Sequence, residues 1–430
     1  MSEEIIINRQ LGKTEHVIWL VDQIFPFNGV VGATITGTLS IPQLIEALAQ
    51  IQQRHPLLRV SIDINQEEQP CFISDNSSKI PLQVVMRQSE NDWCQVAAEE
   101  LAKPFKWNKS PLIRAVLLHS FHVSDLMFTF HHSIGDGLSV VYLIEEVLQQ
   151  INSPNTRLQP LPFYPPYEEL VPHLPQGSNK DSLMQESENY KIPNSNLLIE
   201  LNEKNPSLDW QVGLLSWKLS SHETSQLILR CREEQTSLHG VICAAFFISI
   251  SEEIALEKET FIKCFSPCNL RQYLKASIEK DFGLYLALIL TTEQVKDLDN
   301  FWEAARKIKF EINQAISQGK IFGGIPGIEQ FLANKPDPIA MRQYLIEKVP
   351  TQIFVSNLGD LKISSQFGSF QLQNLYITGP GLTFEPFFIG AVTINGIMCI
   401  TLRYLKSIIT PDVAERISLR AMQQIRKAFA

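Results

Sequence analysis

No stretch of this chain is apolar for long enough to cross a bilayer. The longest apolar run, Val241 to Ile250, contains Ser249 and stops at Glu252-Glu253. A spanning helix needs about 20 such residues, so a buried core helix is the expected use of this one. A basic leader is missing too: Met1-Ser2-Glu3-Glu4 is acidic where a signal peptide is basic, and a cytoplasmic protein is expected. An excess of positive charge is absent, the formal net charge being −9. That argues against a nucleic-acid partner, whose phosphates select a basic face, though a local Lys/Arg patch could still meet an anionic cofactor. Paired cysteines are lacking as well. The seven are scattered, and the one close pair, Cys264 and Cys268, has no second pair to complete a zinc site. Cys243, Cys264 and Cys268 sit on apolar stretches and are read as core thiols; no metal and no bound cofactor are expected.

What is present is an ordinary globular composition over 430 residues, more than one hydrophobic core normally serves, so two lobes are expected. Gly32–Leu39 reads as a strand. Ser40-Ile41-Pro42 then opens a helix with a hydroxyl cap and an early proline, and Leu44, Ile45, Leu48 and Ile51 recur at helical spacing. Short strands are expected at 58–64, 71–73 and 82–86, a helix at 92–101, and two central strands at 113–121 and 126–131 joined by a turn at 122–125. Leu138, Val141, Ile144, Val147 and Leu148 mark a helix that begins at Gly137. Seven prolines between Pro154 and Pro175 and a weakly patterned stretch up to Asp209 read as a linker. A second set follows: a strand at 213–219, a helix at 222–234 capped by Ser221, and the apolar helix at 238–254. After these come strands at 261–265 and 285–290, a helix at 298–317, and a Gly-rich loop at 319–327 with a short helical stretch near Gln330. Strands at 352–355, 370–378, 387–394 and 398–404 precede a last helix opening with Thr410-Pro411-Asp412. Each half is therefore α+β, a mixed sheet with helices. The boundaries expected are 1–175, a crossing segment 176–210, and 211–430.

The densest chemistry lies in His131-His132-Ser133-Ile134-Gly135-Asp136-Gly137. Successive strand side chains face opposite ways, so His131 and His132 meet different environments. Gly135 and Gly137 would allow a sharp turn with unusual φ, and a helix start brings free N–H groups and positive dipole to the same spot. An imidazole placed there can take up a proton and hand it on. On residues alone, a histidine merely hydrogen-bonded in place and a metal ligand remain alternatives. The second is weakened by the lack of a third His or Cys at a useful spacing.

With its context, this string resembles the signature of the superfamily that contains chloramphenicol acetyltransferase, plant BAHD acyltransferases, peptide-synthetase condensation domains and polyketide-associated acyltransferases. Arg54-His55-Pro56-Leu57-Leu58-Arg59, Thr236-Ser237-Leu238-His239-Gly240, Cys268-Asn269-Leu270-Arg271 and Ser356-Asn357-Leu358-Gly359 resemble further family segments in the family's order. The opening Arg9-Gln10-Leu11-Gly12-Lys13-Thr14-Glu15 is similar to that of polyketide-associated and alcohol acyltransferases. The BAHD pentapeptide Asp-Phe-Gly-Trp-Gly and the Ser-x-x-Gln opening of modular condensation domains are absent.

The resemblance implies two chloramphenicol-acetyltransferase-like lobes with an active-site tunnel between them, in a freestanding, monomeric acyltransferase. His132 would act as general base, drawing a proton from an alcohol or amine as it attacks a thioester carbonyl and returning it to the leaving thiolate. The donor would be acyl-CoA or an acyl chain on a carrier protein's phosphopantetheine arm. The opening favours an ester of a lipid or polyketide alcohol over an amide. Asp136 would pair with Arg271 of the second lobe and hold the turn, His131 would be structural, and Gly137 N–H, Ser356 or Asn357 would be candidate contacts for the oxyanion or substrate. Ser133 lacks a Gly-x-Ser-x-Gly elbow, which argues against a nucleophilic serine. The rival readings are an epimerase of a carrier-bound aminoacyl group and a non-catalytic docking module of the same fold.

Overall fold

The computed structural model describes residues 7–75, 77–172, 210–325, 327–381 and 385–429. Apart from Trp210, the expected crossing segment 176–210 lies outside the described residues. Contacts divide the chain into two compact units. The first holds the described residues up to Pro172 together with Asn269–Leu286 and Asp360–Pro380, and the second holds the remainder. This division differs from a sequential one because two late segments return to the first unit. One of them carries the strand Phe370–Thr378, which pairs antiparallel with Asn28–Thr36.

The first unit is built on a six-stranded sheet in the order Gln366–Phe367, Phe370–Thr378, Asn28–Thr36, Val123–His131, Ile113–His119, Leu82–Met86. Only the last pair in this order runs parallel. Val123–His131 is central because eight of its nine residues are buried, a continuous run that suits a strand covered on both faces. Asn28 stands opposite His131 on one side and Ile113 opposite Phe130 on the other, so both neighbours hold the end of the strand in register. A smaller antiparallel sheet joins Asn8–Gln10, Pro70–Ser74 and Val60–Ile64.

Helix Gly137–Asn152 follows the motif strand and buries Val140, Val141, Ile144, Val147, Leu148 and Ile151, the stripe its spacing dictates. It packs against helix Ile41–Arg54, whose buried residues are Leu44, Ala47, Leu48, Ile51 and Gln52. Ser40 occupies the cap position of that second helix but makes no side-chain cap bond; Pro42 in the first turn supplies the start signal. Helix Lys13–Asp22, not marked by a clean apolar stripe, is buried almost continuously from Val17 to Asp22.

The second unit has its own six-stranded sheet, in the order Leu286–Gln294, Phe261–Asn269, Ile353–Asp360, Phe387–Ile394, Ile397–Leu405, Val212–Leu219. The apolar run becomes helix Leu238–Glu253, buried on every side between helices Phe301–Ser317 and Pro411–Lys427. Ser220, not Ser221, caps helix Ser221–Glu233: its Oγ accepts from Glu223 N while Glu223 reaches back to Ser220 N. Helix Pro338–Lys348 has no counterpart in the sequence reading. Cys243 and Cys264 are buried, whereas Cys268 is only half-buried. Among the described residues no helix is long and apolar enough to cross a membrane, and no cluster of His, Cys, Asp and Glu could hold a metal ion.

Candidate active site

The motif strand ends at His131 and the motif helix starts at Gly137, leaving residues 132–136 to make the turn. Neither Gly135 nor Gly137 adopts a positive φ, so the expected unusual backbone is not what these glycines supply. Gly135 provides room. A Cβ there would lie 2.7 Å from the Phe282 ring, and Phe282 is itself buried. Gly135→Ala is therefore expected to cost about 1–3 kcal/mol of stability through overpacking. Gly135→Ala with Phe282→Leu should recover part of that loss in thermal denaturation. No recovery would mean that the ring is not the obstacle.

His131 is fully buried. Its Nδ1 accepts from Ser133 N (3.2 Å) and lies 2.7 Å from Ser133 Oγ. The ring proton then belongs on Nε2, which stands 3.3 Å from Asp22 Oδ2 in an electrostatic contact rather than an aligned hydrogen bond. Asp22 Oδ1 accepts from Phe27 N at 2.8 Å. A Ser-His-Asp sequence of groups thus exists, but all three are buried, so it braces the turn and leaves Ser133 closed to substrates.

His132 differs. Its backbone N–H donates to Phe27 O at 3.1 Å, and its ring lies between Phe27 and Phe130, with centroids 5.8 and 5.2 Å away. The residue is half-buried and keeps part of its surface accessible, while Nδ1 is sealed with no hydrogen-bond partner among the described residues. Desolvation against the two rings pushes its pKa down to about 4; the Asp136 charge and nearby backbone carbonyls oppose this more weakly. At neutral pH the imidazole is uncharged and holds a free lone pair.

Asp136 performs three tasks. It caps the motif helix, Oδ1 accepting from Ser139 N at 2.8 Å. It accepts from Tyr285 N at Oδ2, 3.0 Å. It also pairs with Arg271, Nη1 to Oδ2 3.0 Å and Nη2 to Oδ1 3.2 Å, the two side chains being 4% and 5% exposed. Burial works against ionisation of this carboxyl, but the guanidinium and the N–H donors outweigh it and hold the pKa below the usual carboxylate range. Arg271 Nη2 also donates to Ser139 Oγ at 2.7 Å, and that hydroxyl bridges to Gly283 O at 2.7 Å. Arg271 belongs to the first unit, which corrects its expected place in the second lobe: Asn269–Leu286 packs on the motif turn.

The other sequence segments singled out lie away from this turn. Arg54 Nε and His55 Nε2 both reach Glu146 of the motif helix, at 3.3 and 2.8 Å. Arg9 binds Glu15 through both terminal guanidinium nitrogens at 2.7 and 2.8 Å, so the opening segment closes on itself. Ser356 and Asn357 lie on strand Ile353–Asp360 of the second unit, where Asn357 Oδ1 accepts from Gly359 N at 2.9 Å. The residues without a local sequence signal are Asp22, Phe27, Ser139, Phe282 and Tyr285. Only Ser139 could have been suspected, as the N3 residue behind an Asp cap.

The model of the family described as "Condensation domain" matches residues 25–325, which include the whole motif and Arg271. The chain belongs to the condensation-domain family. Bacitracin synthase 1 of Bacillus licheniformis is 23% identical over 366 residues, 79% of this chain but 6% of that protein. The chain thus spans only a few per cent of the length of such curated relatives. Among solved structures, polyketide synthase associated protein 5 from Mycobacterium tuberculosis matches with TM-score 0.70 at 15% identity, covering 98% of this chain and 99% of that one. Trichothecene 15-O-acetyltransferase from Fusarium sporotrichioides matches with TM-score 0.72 at 12% identity, over 98% and 95%. At such identities the likeness establishes this condensation-domain fold and nothing finer.

Proposed function

We propose that this condensation-domain protein is an acyltransferase in which His132 serves as general base. The observation that carries the reading is the imidazole itself: uncharged, partly accessible, and held between two rings in the turn that leads into the motif helix. An acceptor alcohol or amine gives its proton to the ring as its oxygen or nitrogen attacks the carbonyl of an acyl thioester. The proton is taken at Nε2, since Nδ1 is sealed. The C–S bond breaks as the tetrahedral intermediate collapses, and the same proton passes to the departing thiolate. The products are one ester or amide and one free thiol, with no covalent acyl-enzyme. The N–H of Gly137, in the first turn of the motif helix where no intrahelical acceptor exists, is a candidate donor to an oxyanion. Asp136 and Arg271 act as positioning residues, His131 braces the turn, and Ser356 and Asn357 are assigned substrate contacts. The donor is acyl-CoA or a phosphopantetheine-linked acyl group, consistent with the synthases and the acetyltransferase named above.

The test is a panel of acyl-CoA and acyl-carrier-protein donors with alcohol and amine acceptors, read by thiol release and product mass. Thiol release that matches ester or amide one for one is expected; release without an acylated acceptor would replace transfer by hydrolysis. The pH profile gives an independent check. A base is active when deprotonated, so a depressed pKa keeps it active to lower pH. The acid limb of kcat/KM should therefore fall below the ordinary histidine value of about 6.5, towards 4. Asp136→Asn removes a charge that favours imidazolium and should move the limb lower still. A limb at or above the ordinary value would contradict a desolvated base.

A further inference from the structure

The motif turn is held from outside by the irregular loop Asp281–Tyr285. Asp136 N donates to Gly283 O at 3.2 Å, and Tyr285 N donates to Asp136 Oδ2 at 3.0 Å. Ser139 Oγ donates to Gly283 O at 2.7 Å and accepts from Gly283 N at 3.1 Å. Ser139 and Asp136 are 1% and 3% exposed, so water does not compete for these bonds. A loop held in this way delivers the side chain at position 282 to a fixed place.

That place is against the turn. Phe282 is buried, and its ring stands 2.7 Å from where a Cβ on Gly135 would lie. Gly135 shares the short turn with His132, and its carbonyl is among the groups that act on the imidazole. The ring of Phe282 has a second neighbour. His55 does not touch the turn, but its imidazole meets Phe282 at 66° with the centroids 6.2 Å apart. At 2% exposure His55 has no room to swing away. Its Nε2 lies 2.8 Å from Glu146 Oε2, while Arg54 Nε holds the other oxygen at 3.3 Å. Glu146 belongs to the motif helix, so His55 is keyed to the element that the turn begins. Close-packed side chains pass displacement on rather than absorb it, and the turn cannot shift towards Phe282 without moving both.

We propose that Phe282 is a positioning residue for His132: wedged against Gly135 and steadied by His55, its ring fixes the turn from which the imidazole projects. The proposal rests on the reading of His132 as the base. It also gives the Arg54-His55 segment a use that its sequence does not disclose. Phe282 reaches the reaction only through Gly135, so it acts on the rate of the chemical step and not on substrate binding.

The experiment compares Phe282→Leu and Phe282→Met with the parent, each as the full chain. Leucine leaves part of the ring's space empty, whereas the longer, flexible methionine refills it. Ile425→Ala, a cavity in the core of the second unit, controls for stability loss alone. In Phe282→Leu, kcat for transfer is expected to fall roughly 10–100-fold with KM little changed, the scale of a small misplacement of a reacting group. Phe282→Met should recover most of the rate, and Ile425→Ala should stay near the parent. A second readout needs no transfer: the rate at which diethyl pyrocarbonate modifies His132, followed by peptide mass spectrometry. An imidazole less firmly held between Phe27 and Phe130 should react several-fold faster in Phe282→Leu. Unchanged kcat in folded Phe282→Leu, or an equal fall in Ile425→Ala, overturns the proposal. Should Phe282→Leu not fold, Ser139→Ala, which frees the loop but keeps the ring, is judged by the same two readouts. Should the parent transfer no acyl group, the reading of the base fails separately, and equal modification rates in parent and variant overturn the positioning role.

Discussion

His132→Ala is expected to lower kcat for thioester-dependent transfer by roughly 10²–10⁴-fold, the contribution of a positioned general base, while leaving the protein folded. The two halves of this expectation have separate grounds. The activity loss follows from removing the one accessible lone pair of the motif. Retention of the fold follows from the ring's surroundings: it is half-buried and packs on Phe27 and Phe130, and its sealed Nδ1 has no hydrogen bond to lose. Added imidazole should restore part of the rate by entering the space left, an effect that a purely structural histidine would not produce. Equal rates in variant and parent would instead place the chain among non-catalytic docking modules of this fold.

The largest stability effects should come from the Asp136–Arg271 pair, which clamps the same turn. Arg271→Ala strands the buried Asp136 carboxylate, and Asp136→Ala strands the guanidinium and also removes the helix cap. Each single change is expected to cost about 3–5 kcal/mol, measured by chemical denaturation. Asp136→Asn can still accept from Ser139 N, so it should cost less than Asp136→Ala by about the worth of a cap, ~1 kcal/mol. Replacing both partners, as Asp136→Asn with Arg271→Met, should cost less than the sum of the single changes because no charge is left uncompensated. Additive costs would mean that the two side chains do not stabilise each other. The pH dependence has a definite sign. The folded-state carboxyl is held below its unfolded value, so the pair contributes fully above the unfolded carboxyl pKa of about 3.9. That contribution is lost as pH falls through the depressed folded value. The stability gap between parent and Asp136→Asn should therefore be constant near neutrality and close in acid.

Much of the local structure was legible from spacing. The motif helix was readable because Val141, Ile144, Val147 and Leu148 recur at its period, and the buried helix Leu238–Glu253 because no polar face interrupts it before Glu252. Helix Lys13–Asp22 was not legible, since burial from Val17 to Asp22 leaves no stripe to detect. Helix Pro338–Lys348 did carry one signal, Asp337 as cap with Pro338 in the first turn, though its few buried residues give it little apolar pattern. Strands 261–265 and 352–355 came out short. The observed strands continue to Asn269 and Asp360 through residues that are polar or half-buried and so carry no apolar alternation to read.

The amino-acid order by itself determined the candidate base, the two glycines, the capping aspartate and the apolar stripe behind them, because these lie within one strand, turn and helix whose periodicities are local. Tertiary structure alone decided which histidine is sealed by Asp22 and Ser133, that Phe282 fills the space Gly135 leaves, and that Asn269–Leu286 joins the first unit to supply Arg271, Gly283 and Tyr285. These contacts join positions as far as 149 residues apart. Hydrogen bonding and close packing at such separations depend on how surfaces meet, and no local spacing in the chain encodes that meeting.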